Sequence, residues 1–284
     1  MNEQTPKDRE QVLYGVKACQ AVYEQRPDDI LRIYYRAERR RELGSMLKWA
    51  AARRITYREL DEAAMRRVAG TIHHEGLAMA VNPLRYGVFG ASDSGASVSG
   101  ANESGANESG AAQPAPDRSW VALDGVENPY NLGAIVRSCA FFGVPVILAG
   151  GAIPGEKVNG AAIRAAEGGA EWVDLIGCQN LADALAAVRV LGLTPIGLES
   201  DAPRVFGADP LPRPVVLVAG HEQAGLSPEV RNECDAIYAI PGEGGVGSLN
   251  VSVSVGIALA ELFRDDQKTG ASRKQARKAA YRRR

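Results

Sequence analysis

Apolar and polar positions fall into two blocks of alternating periodicity along this 284-residue chain, separated by a stretch with neither pattern. In the first block, Val12, Val16, Cys19, Val22 and Tyr23 recur at helical spacing over residues 11–26. Residues 30–35, Ile-Leu-Arg-Ile-Tyr-Tyr, read as a strand, and the segment through Ala52 reads as a helix with Leu43, Met46, Leu47 and Ala50 turned inward. A short strand at 55–57 leads into another helix, and a strand at 77–81 is stopped by Asn82-Pro83. Residues 1–86 are thus expected to form a compact α/β domain.

Residues 87–117 break the pattern. Ser-Gly-Ala-Asn-Glu occurs twice in tandem between Ser99 and Glu108, and bulky apolar side chains are scarce. Such a composition cannot offset the entropy of ordering, so a flexible tether is expected. From Trp120 the alternation resumes, with strands expected at 120–123, 144–149, 172–176, 193–198, 215–219 and 237–240. Helices are expected at 131–142, 161–166 and 181–190, and a long apolar one after Asn250. Strands interleaved with helices imply a mostly parallel sheet covered on both faces, and the uninterrupted run 215–219 is expected near its centre. This second domain spans 118–267, and a basic tail occupies 268–284.

Charge adds a partner. Residues 1–90 carry 16 Lys and Arg against 12 Asp and Glu, residues 91–267 carry 9 against 22, and residues 268–284 carry 8 against none. Basic ends around an acidic middle point to a polyanion. No run of about 18 apolar residues and no apolar N-terminal signal is present, so the cytoplasm is the expected compartment. Cys19, Cys139, Cys178 and Cys234 are far apart and are expected as free thiols. His73-His74-Glu75 lacks the spacing of a zinc site, and no metal is expected.

Ligands of parallel sheets sit beyond the C-terminal ends of strands, and three loops there carry candidate chemistry. The first, 123–137, contains Asn131 at an expected helix N-cap and Arg137 six residues on. The second, 218–228, runs through Gly220, His221, Glu222 and Gly225 to a Ser-Pro helix start. The third, 240–250, is glycine-rich and ends in Ser248-Leu249-Asn250 at the start of the apolar helix. Taken singly each has a plain reading: Asn131 as a cap, Arg137 as a solvated helix residue, Glu222 as a surface carboxylate. His221 has no visible partner for general-base work, and no phosphate-binding loop of a nucleotide or dinucleotide enzyme is present.

Together and in this order, Asn128-Pro-Tyr-Asn131-Leu-Gly133 through Arg137, Gly220-His-Glu222-Gln-Ala-Gly225-Leu-Ser227, and Ile240-Pro241 through Ser248-Leu-Asn250 resemble the three motifs of the SpoU (TrmH-type) RNA ribose methyltransferases of the SPOUT superfamily. The N-terminal region, with Gly15-Val-Lys-Ala18 and His74-Glu-Gly76, more loosely resembles that family's substrate-binding domain. The resemblance implies a trefoil-knotted α/β domain, S-adenosyl-L-methionine as methyl donor, a 2′-hydroxyl of tRNA or rRNA as acceptor, and a homodimer whose subunits complete each site. Carried onto this chain, it implies that Gly220, Ile240 and Leu249 hold the adenosyl moiety, while Asn131, Arg137, Glu222, Ser248 and Asn250 line the reaction site. Gly242 departs from the apolar residue usual after Ile-Pro. A guanidinium stays charged in proteins, so Arg137, oriented by Asn131, is expected to stabilise a forming alkoxide or a phosphate. Arg32, Arg36, Arg39, Arg40, Arg41, Arg53, Arg54, Arg66 and Arg67, with Tyr34, Tyr35 and Trp49, are candidate RNA contacts beside the plainer reading of a solvated face. The alternative to an enzyme is a noncatalytic RNA-binding or ribosome-assembly protein that keeps the domain. An oxidoreductase ranks below both.

Overall fold

A glycine divides what the periodicity joins at the start of the chain. In the computed structural model, which describes residues 10–84, 86–92, 95–100, 118–150, 160–208 and 210–268, residues 11–25 are a strand and a helix. Strand β1 (Gln11–Tyr14) ends at Gly15, whose φ of 97° turns the chain into α1 (Val16–Gln25). The expected single helix over 11–26 is corrected accordingly: Leu13 is buried as β1 pairs antiparallel with β4 (Leu77–Val81). With β2 (Ile30–Tyr35) and β3 (Thr56–Glu59) these strands form a four-stranded sheet ordered β1-β4-β2-β3. Helix α1, α2 (Gly44–Ala52) and α3 (Glu62–Ala69) pack on it, burying Cys19, Val22, Met46, Ala50 and Met65.

The second sheet has nine strands among the described residues, ordered β11-β13-β10-β12-β7-β8-β9-β5-β6. Its members are β5 (Gly87–Ser92), β6 (Gly95–Gly100), β7 (Trp120–Leu123), β8 (Val146–Gly150), β9 (Asp174–Cys178), β10 (Thr194–Leu198), β11 (Arg204–Val205), β12 (Val215–Ala219) and β13 (Ala236–Ala239). All neighbours pair in parallel except the β5–β6 hairpin. The hairpin corrects the first part of the expected tether. Residues 87–92 and 95–100 add two strands at the sheet edge, with β5 joined to β9 and Phe89 buried. A composition poor in apolar residues argues against a core, but an edge hairpin is held largely by backbone hydrogen bonds. Residues 101–117, and the expected basic tail beyond Lys268, lie outside the described residues.

Helices cover both faces. Helices α4 (Pro129–Phe142), α5 (Gly160–Ala165) and α8 (Val251–Lys268) lie on one; α6 (Leu181–Val188) and α7 (Pro228–Asn232) lie on the other. Strand β12 shows the logic: Val215, Leu217 and Ala219 face the α4 side, Val216 and Val218 the α6 side, and all five are buried. Burial on both faces is why this run is continuously apolar, and β12 lies between β10 and β7. Gly133 on α4 lets that helix approach α5 closely, since a Cβ there would meet the Ala162 carbonyl oxygen at 2.4 Å.

Candidate active site

Three loops leave the C-terminal ends of the parallel strands β7, β12 and β13 of the second sheet. The first follows β7. Asn128, not Asn131 as expected, caps α4: its side-chain oxygen accepts from the N–H groups of Tyr130 (2.9 Å) and Asn131 (3.4 Å), and Pro129 fills the first helical position. Asn131 therefore lies inside the first turn, with its amide free to reach outward.

The second loop follows β12. Its backbone folds back so that His221 and Gly225 exchange two N–H···O bonds of 2.9 Å. Gly220 permits this approach, because a Cβ there would sit 2.2 Å from the Gly225 oxygen. The His221 Nδ1 accepts from Gln223 N–H at 3.1 Å, which gives the ring a turn-stabilising role. Asp124, a residue the sequence reading passed over, ties the two loops: its N–H donates to Ala219 C=O, and its carboxylate accepts from Ser227 N–H at 2.7 Å.

The third loop, 241–250, is exposed throughout and reaches α8 through Asn250. The Asn250 oxygen accepts from Ser252 N–H (2.9 Å) and Ser252 Oγ (2.6 Å), and its C=O accepts from Ser254 N–H.

A chain of side-chain hydrogen bonds joins all three loops. Asn131 Nδ2 donates to Glu222 Oε1 at 2.6 Å, and Asn250 Nδ2 donates to Asn131 Oδ1 at 3.0 Å. Both ends of the Asn131 amide are used, so its orientation is fixed, and it in turn holds the exposed Glu222 carboxylate. An exposed carboxylate aligned in this way can accept a hydrogen bond from a hydroxyl group. Of the expected site residues, Asn131, Glu222 and Asn250 come together; Ser248 and Leu249 lie on the exposed loop beside them, Gly220 at the base of the second loop, and Ile240, half-buried, at the end of β13. Among the described residues, no backbone N–H or C=O from Pro241 to Leu249 is paired within the chain, and no side chain comes near Gly242, Gly244, Gly245 or Gly247. Free backbone donors and acceptors beside exposed Val246 and Leu249 suit a flat, partly apolar group such as adenine.

Arg137 does not join this cluster, contrary to the expectation that Asn131 would orient it. Six helical residues amount to about 600° of rotation, which puts the two side chains on different faces of α4. Arg137 instead pairs with Glu167 at 2.8 Å, and Glu167 also accepts from Lys17 Nζ of α1 at 2.5 Å. The Lys17 hydrogen bond, then the Arg137 charge, hold the Glu167 carboxyl below the usual carboxylate range. These residues border an open cavity of about 310 Å³ between α1 and α4, which Trp172 also lines.

The candidate RNA-facing residues divide. Arg32, Arg36, Arg39, Arg40, Arg53 and Arg66 are each paired with a carboxylate, whereas exposed Arg41, Arg54 and Arg67 have no ion pair among the described residues. Tyr35 is buried and Trp49 packs edge-on against Tyr23 with Arg53 over its ring, so the expectation that these two stack on bases is corrected. Exposed Tyr57 on β3 is the better-placed aromatic. His74 is buried, bonded to Glu62 and to Gly76 N–H; among the described residues no group of three metal-ligating side chains occurs.

Parallel strands with a polar cluster and an unpaired loop at their C-terminal ends define an α/β protein with a candidate ligand site where such sheets hold their ligands. Residues 118–260 match the model of the SpoU rRNA methylase family, and residues 12–87 match that of the RNA 2′-O ribose methyltransferase substrate-binding domain. The chain belongs to the SpoU rRNA methylase family. It is 32% identical to the 23S rRNA (guanosine-2′-O-)-methyltransferase RlmB of Nitrosomonas europaea, over 92% of this chain and 94% of that one. It is 34% identical to YfiF, an uncharacterized tRNA/rRNA methyltransferase of Escherichia coli O157:H7, over 90% and 68%. The fold is that of the SpoU methyltransferase AviRb from Streptomyces viridochromogenes, solved with AdoMet, at a TM-score of 0.68 over 92% of each chain and 18% identity.

Proposed function

We propose that this protein transfers a methyl group from S-adenosyl-L-methionine to a ribose 2′-hydroxyl of tRNA or rRNA, working as a cytoplasmic homodimer through a knotted domain. The observation that carries the reading is the Asn250–Asn131–Glu222 chain, which gathers one side chain from each of three loops.

S-adenosyl-L-methionine, when bound, supplies an electrophilic methyl on a sulfonium. The chain's own tasks are then to align a hydroxyl with that methyl and to help it lose its proton. The backbone at Gly220, Ile240 and Leu249 would hold the adenosyl end, and Glu222, fixed by Asn131 and Asn250, would orient the hydroxyl with Ser248 beside it. Arg137 supplies positive charge for the forming alkoxide or an adjacent phosphate.

The placement of Arg137 favours a dimer. Tyr130, Ala134, Arg137 and Phe141 follow one another at helical spacing along the outer face of α4. Val253, Ile257 and Ala260 do the same on the adjoining α8. Phe141 is 74% exposed, and Tyr130, Val253 and Ile257 are also open to solvent. An apolar two-helix face with a central arginine suits a second copy of the chain, and burying it would carry Arg137 toward the partner's loops. Arg137→Ala is expected to lower methyl transfer at least 100-fold while calorimetry finds S-adenosyl-L-methionine affinity nearly unchanged. Full transfer by that variant would remove Arg137 from the reaction.

The rival reading, a noncatalytic RNA-binding protein, predicts that the wild-type chain binds RNA without any transfer.

A further inference from the structure

Glu167 stands outside all three loops, yet it touches the residue on which the proposed reaction leans. It follows α5 at a φ of 45°, in the left-handed region that an L side chain rarely adopts. Glycine takes this conformation freely, and Gly168, at φ 85°, does so one residue later. A glutamate in a glycine conformation directs attention to its carboxylate, since such strain gathers where a side chain has work to do.

That carboxylate is shared. One oxygen pairs with Arg137 Nη1 at 2.8 Å and the other accepts from Lys17 Nζ at 2.5 Å. Lys17 belongs to α1 of the substrate-binding unit and Arg137 to α4 of the methylase unit. Arg137 is half-exposed, and among the described residues Glu167 is the one carboxylate paired with it. A long side chain held by no partner spreads over many rotamers, so Glu167 restricts where the guanidinium can point.

We propose that Glu167 is a positioning residue for methyl transfer: its carboxylate fixes the Arg137 guanidinium and links it to Lys17 across the two units. The inference rests on Arg137 acting in the reaction. It predicts that loss of the carboxylate slows the chemical step without weakening cofactor binding. It further predicts that activity and stability separate at this position, because glycine suits the backbone and lacks the carboxylate.

The test compares full-length wild type, Glu167→Gln, Glu167→Gly and Arg137→Ala in single-turnover transfer of tritiated methyl from S-adenosyl-L-methionine to in vitro transcribed 23S rRNA and tRNA pools. Cofactor affinity and melting temperature are measured alongside. Both Glu167 variants are expected to lose about 10- to 100-fold in transfer rate, to keep cofactor affinity within about twofold, and, for Glu167→Gly, to melt no lower than wild type. Wild-type rates in both Glu167 variants, with Arg137→Ala inactive, overturn the role of Glu167 alone. A melting temperature of Glu167→Gly that falls along with its rate makes the residue structural and overturns it too. Full activity in Arg137→Ala, or none in wild type, instead removes the reading on which the inference stands, and the inference with it.

Discussion

At the scale of single residues, the site depends on how an amide is oriented. Asn250 serves two ends at once: it caps α8 and donates to Asn131. Asn250→Ala is therefore expected to cost about 1 kcal/mol in urea unfolding through the lost cap, and also to lower methyl transfer by freeing the Asn131 amide. A variant as stable and as active as wild type would contradict both roles. Asn131, Glu222 and Asn250 were legible in the sequence because their types and order form a motif. The partner of Arg137 was not. Helical phase separates Arg137 from Asn131, and its contact, Glu167, lies 30 positions downstream in a segment with no motif of its own. Tyr35 and Trp49 misled for a related reason: an aromatic near arginines looks the same whether it faces solvent or the core.

Among elements, helices and parallel strands followed the periodicity closely, and β12 occupies the residues expected of it. Two exceptions have separate causes. Gly15 ends a strand inside an apolar pattern that also fits a helix, and the β5–β6 hairpin pairs its backbone without needing many bulky side chains. Close packing of α4 on α5 was equally invisible, because a glycine within a motif says nothing about which backbone it meets. It has a measurable consequence. Gly133→Ala places a Cβ 2.4 Å from the Ala162 oxygen and 2.6 Å from the Ala165 Cβ, neither of which is the end of a flexible side chain. The expected loss is about 1–3 kcal/mol by denaturant unfolding, and a neutral substitution would show that the two helices separate readily.

For the whole molecule, the question is how a substrate-binding unit is held against a methylase unit. Arg26 and Glu171 pair at 2.7 Å with both side chains largely buried, and Arg26 Nη1 also donates to the Asn82 carbonyl. Breaking a buried pair leaves one charge uncompensated. Arg26→Ala should accordingly loosen the two units, raising hydrogen exchange in α1 and around residues 169–172 while leaving S-adenosyl-L-methionine affinity intact; unchanged exchange would show that the pair does not hold the junction. The outer face of α4 and α8 bears on assembly. If two copies share each site as proposed, the wild type sediments at twice the chain mass, and Ile257→Glu sediments at the chain mass and loses transfer. A fully active monomer would refute it.

Mapping the product tests methyl transfer to a ribose most directly. Full-length protein is incubated with tritiated S-adenosyl-L-methionine and transcribed rRNA and tRNA, and the RNA is then hydrolysed in alkali, which cannot cleave beside a 2′-O-methyl ribose. Label is expected in alkali-resistant dinucleotides with wild type and none with Arg137→Ala. Label on a base, or RNA bound with no label transferred at all, would contradict it.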